Sequence, residues 1–450
     1  MFYRIFSSKD TYITNERLSD VARTGSNFGA SEILHVQKKI DTNHTASMAH
    51  ILTQFDLSSI AALTASALAP ANSINYRLKL TDAQHDKTLP TSFDLEIQAL
   101  SQDWDEGEGR DVDFFSDKGV ANWDKAKSNS FWSVAGASGS GPILTAHFDT
   151  GHENLDVDVT TIVQQWLSGN ITNNGFLVKV SSSQEADSQD YYVKMFHGRS
   201  THFGDKRPYI EARWDDSVKD DRNNTLFDVS GSLYLYHSVR GQLENIPEVG
   251  TGQVGVRVTD ASGTIKILTG SHAGVPGTYA VSFALATGSY SGSIMKDIWF
   301  NLATTSVAYM TGTFVPADEL NKPYIQPKKY FTIISNLKNT YDLDETVRLD
   351  MFIRPHDYNP ARVLTASLDS NGTVITRGYY KIINDRTDEV VVPFGTGSLE
   401  YTRLSYDGRG NYFKIYMSSL TAGSVYRILF LLDVDGQKQY IDQGFKFRVR

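Results

Sequence analysis

The sequence predicts an all-β chain of three tandem β-sandwich domains with one short helix in the first. Three observations carry this. At 450 residues the chain exceeds the roughly 250 to 300 residues that one hydrophobic core can serve, so several domains are expected. Its 23 Tyr, 23 Phe and 34 Gly suit pleated, half-buried surfaces joined by tight turns. Apolar residues recur at period two in many short runs, the spacing of strands with one buried face.

The first segment, residues 1–216, holds Trp104, Trp123, Trp132, Trp166 and Trp214, five of the six tryptophans. The runs INYRLKL (74–80) and FDLEIQAL (93–100) alternate as strands, FDLSSI (55–60) reads as a core strand entering a polar turn, and RPYIEARW (207–214) reads as a closing strand. The run DVTTIVQQWLSGN (158–170) predicts the helix. Asp158 or Thr160 can cap it, Ile162, Val163, Trp166 and Leu167 share a face, and Gly169 can end it in the left-handed conformation. The polar run 215–224 has little to bury and reads as a linker.

Residues 225–320 contain six short strand-like runs with a DASG turn at 260–263, the pattern of a small immunoglobulin-like sandwich. The proline-flanked run 321–327 reads as a stiff linker. Residues 328–450 repeat the theme with TVRLDMFI (346–353), RVLTASLD (362–369), NYFKIYM (411–417) and YRILFLLDVDGQKQYI (426–441), with turns at Asn371-Gly372 and Asp435-Gly436. They predict a C-terminal immunoglobulin-like sandwich.

Within residues 1–216 the succession KDTYI (9–13), SNFGASEILHV (26–36), ILTQFDLSSI (51–60), QDWDEGEG (102–109), VDVTTIVQQWLSG (157–169) and KRPYIEARW (206–214) resembles the DNRLRE-type domain. That family is similar to carbohydrate-binding modules. The resemblance implies a jelly-roll-like β-sandwich for the first domain, and HGRSTHFGD (197–205) departs from the family's pattern.

Chemistry-bearing residues are few. The acidic residues Asp103, Asp105, Glu106 and Glu108 offer oxygen ligands that could hold Ca²⁺, but without the closing Glu and the Gly of an EF-hand loop, so an exposed acidic loop is expected and no cofactor is assigned. His147, Asp149 and His152 supply zinc-type ligands in a stretch read as a loop, and His197 and His202 flank a loop where solvated histidines are expected. No GxSxG, Walker, HExxH or strand-borne GxGxxG motif is present, and GASGSG (136–141) reads as a loop rather than a phosphate cradle. No catalytic constellation is assigned, so the chain is expected not to be an enzyme. Trp104 and Trp166 are read as core anchors, the alternative for Trp104 being a sugar-stacking platform beside the acidic loop.

Composition narrows the partners. Residues 1–216 carry 29 acidic against 19 basic side chains and residues 328–450 carry 14 against 17, which leaves no concentrated basic face for nucleic acid. No run is long and apolar enough for a membrane helix, no signal peptide is recognisable, and there is no cysteine. Strings of β-sandwiches of this kind resemble structural proteins of tailed-phage virions, of tail, baseplate, neck or capsid surface. The expected role is therefore non-enzymatic assembly with other virion proteins, in a symmetric complex, after synthesis in the host cytoplasm. The alternative is a carbohydrate-binding adhesin or host-attachment protein that grips a cell-surface polysaccharide.

Overall fold

Period-two alternation becomes strand wherever one face can be buried. A computed structural model describes all residues except 19–20, 42–43, 67, 71–72, 111–114, 116–118, 287–293, 318–328, 357–372 and 435. The 321–327 run, the 362–369 strand, the Asn371-Gly372 turn and Asp435 therefore lie outside the described residues. The chain is an all-β tandem of β-sandwiches, and it divides into one unit of Tyr3–Ala61 and Ile74–Arg213 and another of Met1–Phe2, Ala62–Ser73 and Trp214–Arg450.

Among the described residues the main sheet of the first unit has ten strands: β1 (Phe2–Thr14), β2 (Ile33–Ile40), β3 (Ala46–Phe55), β4 (Asn75–Leu80), β5 (Phe93–Leu100), β6 (Gly139–Phe148), β7 (Leu155–Asp158), β8 (Phe176–Val180), β9 (Tyr191–His197) and β10 (Tyr209–Arg213). They are hydrogen-bonded in the order β6-β5-β8-β3-β1-β10-β4-β7, and β2 links β3 to β9. On β4 and β5 the even spacing puts Tyr76, Leu78 and Leu80, and Phe93, Leu95 and Ile97, into the core at 0–1 % exposure.

The unit holds more helix than alternation alone predicts. The expected helix is α2 (Thr160–Leu167), with Asp158 accepting from the Thr160 amide at 2.9 Å, Ile162, Val163 and Trp166 buried, and Gly169 at φ +74°. Where FDLSSI (55–60) was expected to enter a polar turn, α1 (Ser58–Ala65) begins instead. Asp56 accepts from the Ser58 amide at 2.9 Å, and the alanines favour helix at little entropic cost. Only Ile60 is buried, so this helix shows no amphipathic period to read. A further single helical turn spans Ser182–Glu185.

The second unit contains two sets of strands, each with its own hydrophobic cluster. The first set is β11 (Gly231–Tyr236), β12 (Gln253–Asp260), β13 (Gly263–His272), β14 (Thr278–Phe283), β15 (Met295–Phe300) and β16 (Ala308–Phe314), in the order β11-β14-β13-β12-β15-β16 around Trp299. At the expected DASG turn, Asp260 accepts from the Ser262 and Gly263 amides, and Gly263 takes φ +134°.

The second set is β17 (Tyr330–Ile334), β18 (Thr340–Tyr341), β19 (Thr346–Pro355), β20 (Gly378–Asn384), β21 (Val390–Val392), β22 (Ser405–Asp407), β23 (Gly410–Tyr416), β24 (Val425–Val434) and β25 (Gln437–Val449). They form two sheets, β17-β19-β23-β22 and β18-β25-β24-β20-β21, that enclose Leu349, Phe413, Ile428 and Phe430.

The polar run 215–224 is not a bare linker. Tyr406 donates its amide to the Val218 carbonyl at 2.9 Å, and Asp220 donates its own to the Tyr406 carbonyl at 3.1 Å, so the run pairs along β22. Arg222 bridges Asp220 at 2.7 Å and Asp297 at 2.6 Å, and Trp299 Nε1 donates to Asp297 at 2.8 Å. Asp220 and Asp297 can be buried because Arg222 pairs with both, and Asp297 lies 75 positions from Arg222, a distance no local pattern records.

Candidate functional site

Within the QDWDEGEG segment only Trp104 and Gly109 are buried. Trp104 is fully buried and its Nε1 donates to the Asn174 carbonyl at 2.9 Å, so the ring is not exposed for stacking. Trp166 is 7 % exposed and lies tilted on Phe176 with centroids 4.6 Å apart. Trp104→Ala is expected to cost about 3–5 kcal/mol through cavity formation and to lower the melting temperature of the first unit. Thermal unfolding monitored by Trp fluorescence checks it, and an unchanged midpoint would contradict the packing.

The four acidic residues considered for Ca²⁺ do not converge. Asp103 and Asp105 face Lys127 at 2.5 and 3.6 Å, and Lys9 stands 3.8 Å from Asp103. Glu106 points elsewhere, with Oε1 accepting from the Asp10 amide at 2.8 Å and the Arg199 guanidinium gripping both oxygens at 3.1 and 2.7 Å. Glu108 is exposed. Among the described residues no three His, Asp or Glu side chains group as a metal site.

Asn27, which the sequence reading did not single out, ties this segment down. Its Nδ2 donates to the carbonyls of Glu106 and Ala121, both at 2.8 Å, and its Oδ1 accepts from the amides of Gly29 at 3.1 Å and Gly109 at 2.9 Å. All four hydrogen-bonding positions of the side-chain amide are thus used inside the protein. The glycines exist for this contact: a Cβ on Gly109 would stand 1.8 Å from the Asn27 carbonyl oxygen, and one on Gly29 2.2 Å from that of Glu106.

The other histidine and aspartate residues also divide. His147 Nδ1 meets Asp94 at 2.8 Å and Nε2 meets Asp149 at 3.3 Å, and the Asp94 hydrogen bond pushes the imidazole above its ordinary value. His152 takes no part in that pair. His197 is half-buried beside Thr201, and burial pushes it down.

His202, at 86 % exposure, pairs with Glu32 at 3.2 Å on the rim of a cleft of about 700 Å³. The start of β2, the loop after β4, the segment after β5, part of β9 and the loop after β9 line this cleft, bringing His35, His85, Lys87 and Arg110 around it. His35 lies on Tyr12 with centroids 4.6 Å apart, and Tyr12 in turn stacks on Phe28 at 4.0 Å. His85 Nδ1 accepts from the Lys87 amide at 3.2 Å, and burial pushes this imidazole down, which favours the neutral Nε2–H form. The sequence separates these residues by up to 170 positions, so only the topology assembles them.

The carboxyl groups raised furthest lie inside the protein. Asp10 is fully buried on β1, where burial, with Glu106 nearby, pushes it up to about 7 against the pull of the Arg199 amide and guanidinium. Burial likewise pushes Asp220 up to about 6 despite Arg222.

No protein-family model matches the chain, and no curated protein does. Among solved structures, it is similar to the N-terminal Ig1-2 module of the Drosophila receptor protein tyrosine phosphatase DLAR, at 8 % identity over 52 % of this chain and 95 % of that one, with a TM-score of 0.17. It is also similar to a tetra-tandem repeat from the extending region of a large adhesion protein, at 11 % identity over 93 % and 74 %, with a TM-score of 0.17. A third likeness is to native E. coli alpha-2-macroglobulin, at 10 % identity over 92 % of this chain and 20 % of that one, with a TM-score of 0.18.

Proposed function

We propose that this chain is a non-enzymatic structural component of a phage virion that acts by protein-protein assembly. The observation that carries the reading is β6, an edge strand that pairs only with β5 among the described residues. Its first half is blunted by Pro142 and a register break between Ser140 and Leu144, but Ile143–Phe148 has no Lys, Arg, Asp or Glu and leaves Ile143 57 % exposed. Such an edge can be completed by a neighbouring chain. The resemblance of residues 1–216 to the DNRLRE-type sandwich and of the whole to tailed-phage structural proteins supplies the setting.

Purified particles of the encoding phage should contain the chain in multiple copies by quantitative mass spectrometry. Ile143→Lys, a change at an exposed position, should lower its incorporation without lowering its melting temperature. Absence from the particles, or polysaccharide turnover by the isolated chain, would overturn the proposal.

A further inference from the structure

We propose that the Lys194 amine and the Asp82 carboxyl condense into an intramolecular amide, a self-made crosslink between β9 and the loop after β4. Both side chains come from one face of a short ladder. Asp82 lies opposite Phe196, with the Ala83 amide donating to the Met195 carbonyl and the His197 amide to the Thr81 carbonyl, each at 3.0 Å. Lys194, two residues before Phe196 on β9, is the diagonal neighbour of Asp82, within reach of a long side chain. Its Nζ donates to the Asp82 carboxylate, and to the Gly151 carbonyl at 2.8 Å.

An ammonium and a carboxylate do not react in water, which stabilises both charges. Here Lys194 is fully buried and Asp82 only 10 % exposed. The ammonium stands 4.8 Å from the ring centre of Phe196 and 5.6 Å from that of Phe148, both buried. Burial pushes Lys194 below its ordinary value against the pull of Asp82 and Glu153. Such a site penalises the ion pair and favours moving the proton along the hydrogen bond, which leaves a neutral amine against a carboxylic acid. The fold then holds nucleophile and electrophile together at high effective concentration.

Glu153, in the loop between β6 and β7, supplies the second observation. Its Oε1 accepts from the Thr150 amide and hydroxyl, both at 2.8 Å, whereas its Oε2 is shielded from water and has no hydrogen-bond partner among the described residues. Burial works against its charge, but the Thr150 hydrogen bonds hold this carboxyl down at about 2. It is therefore ionised, with one oxygen unused, and gives up again any proton it takes. In the reaction Nζ attacks Cγ of Asp82 and the C–N bond forms. Glu153 carries a proton from that nitrogen to the hydroxyl of the tetrahedral centre, the C–O bond breaks, and the oxygen leaves as water. Amine plus acid gives amide plus one water, with no oxidant, reductant or cofactor. Lys38 is equally buried but differs: its partner Asp187 is 33 % exposed and also accepts from the Gln189 amide and the Tyr191 hydroxyl. It serves as the internal control.

The test is mass spectrometry of the full chain, intact and after trypsin. The expected intact mass is lower than that of the sequence by one water. The digest should contain a branched peptide in which residues 80–87 are joined to residues 180–199, uncut after Lys194, while cleavage after Lys38 proceeds normally. Lys194→Arg keeps a cation there and should restore the missing water. Glu153→Gln should lower the crosslinked fraction at a fixed time after purification, and an equal fraction would overturn the part given to Glu153. The crosslink itself is overturned if the native chain has its full mass and is cut to completion after Lys194, a result that needs no variant to fold, or if Lys194→Arg still lacks one water. Because the readout is a bond within one chain, its failure leaves the assembly reading standing.

Discussion

Gly109→Ala is expected to unfold the first unit outright, or to destabilise it by more than about 4 kcal/mol, the range reached only by severe steric or buried-polar defects. The reason is backbone geometry rather than lost flexibility. A methyl group 1.8 Å from the Asn27 carbonyl oxygen has no rotamer to escape into, so the 106–109 segment must withdraw from Asn27. Withdrawal breaks the bonds from Asn27 to the Glu106 carbonyl and the Gly109 amide, and it moves Glu106 off Arg199. Each buried group left without a partner costs about 1–3 kcal/mol. Urea unfolding by circular dichroism checks this, with Gly397→Ala as the control, since a Cβ there meets nothing within 4 Å. Equal midpoints for the two variants would show that the contact is not tight in solution.

Asp10→Asn is expected to stabilise the first unit at alkaline pH and to leave it nearly unchanged in acid. Burial pushes the native carboxyl up to about 7, above the ordinary carboxylate value that it regains on unfolding, so the folded state holds its proton more tightly. Stability contributed by this group is therefore greatest below about pH 4, falls as pH rises to about 7, and stays low above that. A displacement of about three pH units is worth about 4 kcal/mol, an upper value for the gain at pH 8. The Asn side chain keeps an oxygen for the Arg199 amide, at 2.6 Å in the native protein, and loses the repulsion from Glu106. Comparing the two proteins' urea midpoints at about pH 4 and about pH 8 checks the sign. A variant less stable than wild type at the higher pH would show that Arg199 already compensates the buried charge.

What could be read in advance follows from how local each signal is. The strands β4 and β5, helix α2 and the Asp260–Gly263 turn each carry their instructions within a few residues: alternation, a 3.6-residue apolar face closed by Gly169, and a side chain bonding its own backbone. The WDEGEG segment was visible as a glycine turn, but its reason for two glycines was not, because Asn27 lies some 80 positions earlier. The 215–224 run looked solvated for the same reason, since Arg222 finds Asp297 only in the fold. The cleft was legible least of all. His202 alone attracted notice as a loop histidine, and nothing in the sequence brings His35, His85 and Lys87 to it. Helix α1 was missed because one buried residue, Ile60, gives no period.

The placement of β1 has a consequence for how the chain is made. Although it spans Phe2–Thr14, β1 lies in the middle of its sheet, with β3 on one side and β10, Tyr209–Arg213, on the other. The Ser7 amide already leans on the Pro208 carbonyl at 2.9 Å. During synthesis the first strand therefore waits for nearly the whole unit to leave the ribosome before its second neighbour exists. At roughly 5–20 residues per second that is on the order of ten to forty seconds with one strand edge open. Closing a pair so distant along the chain carries a high loop-entropy cost, which places β1–β10 pairing late in folding. The nascent first unit is accordingly the stage at which a chaperone, or a wrong strand from a neighbouring copy, has the longest opportunity to intervene.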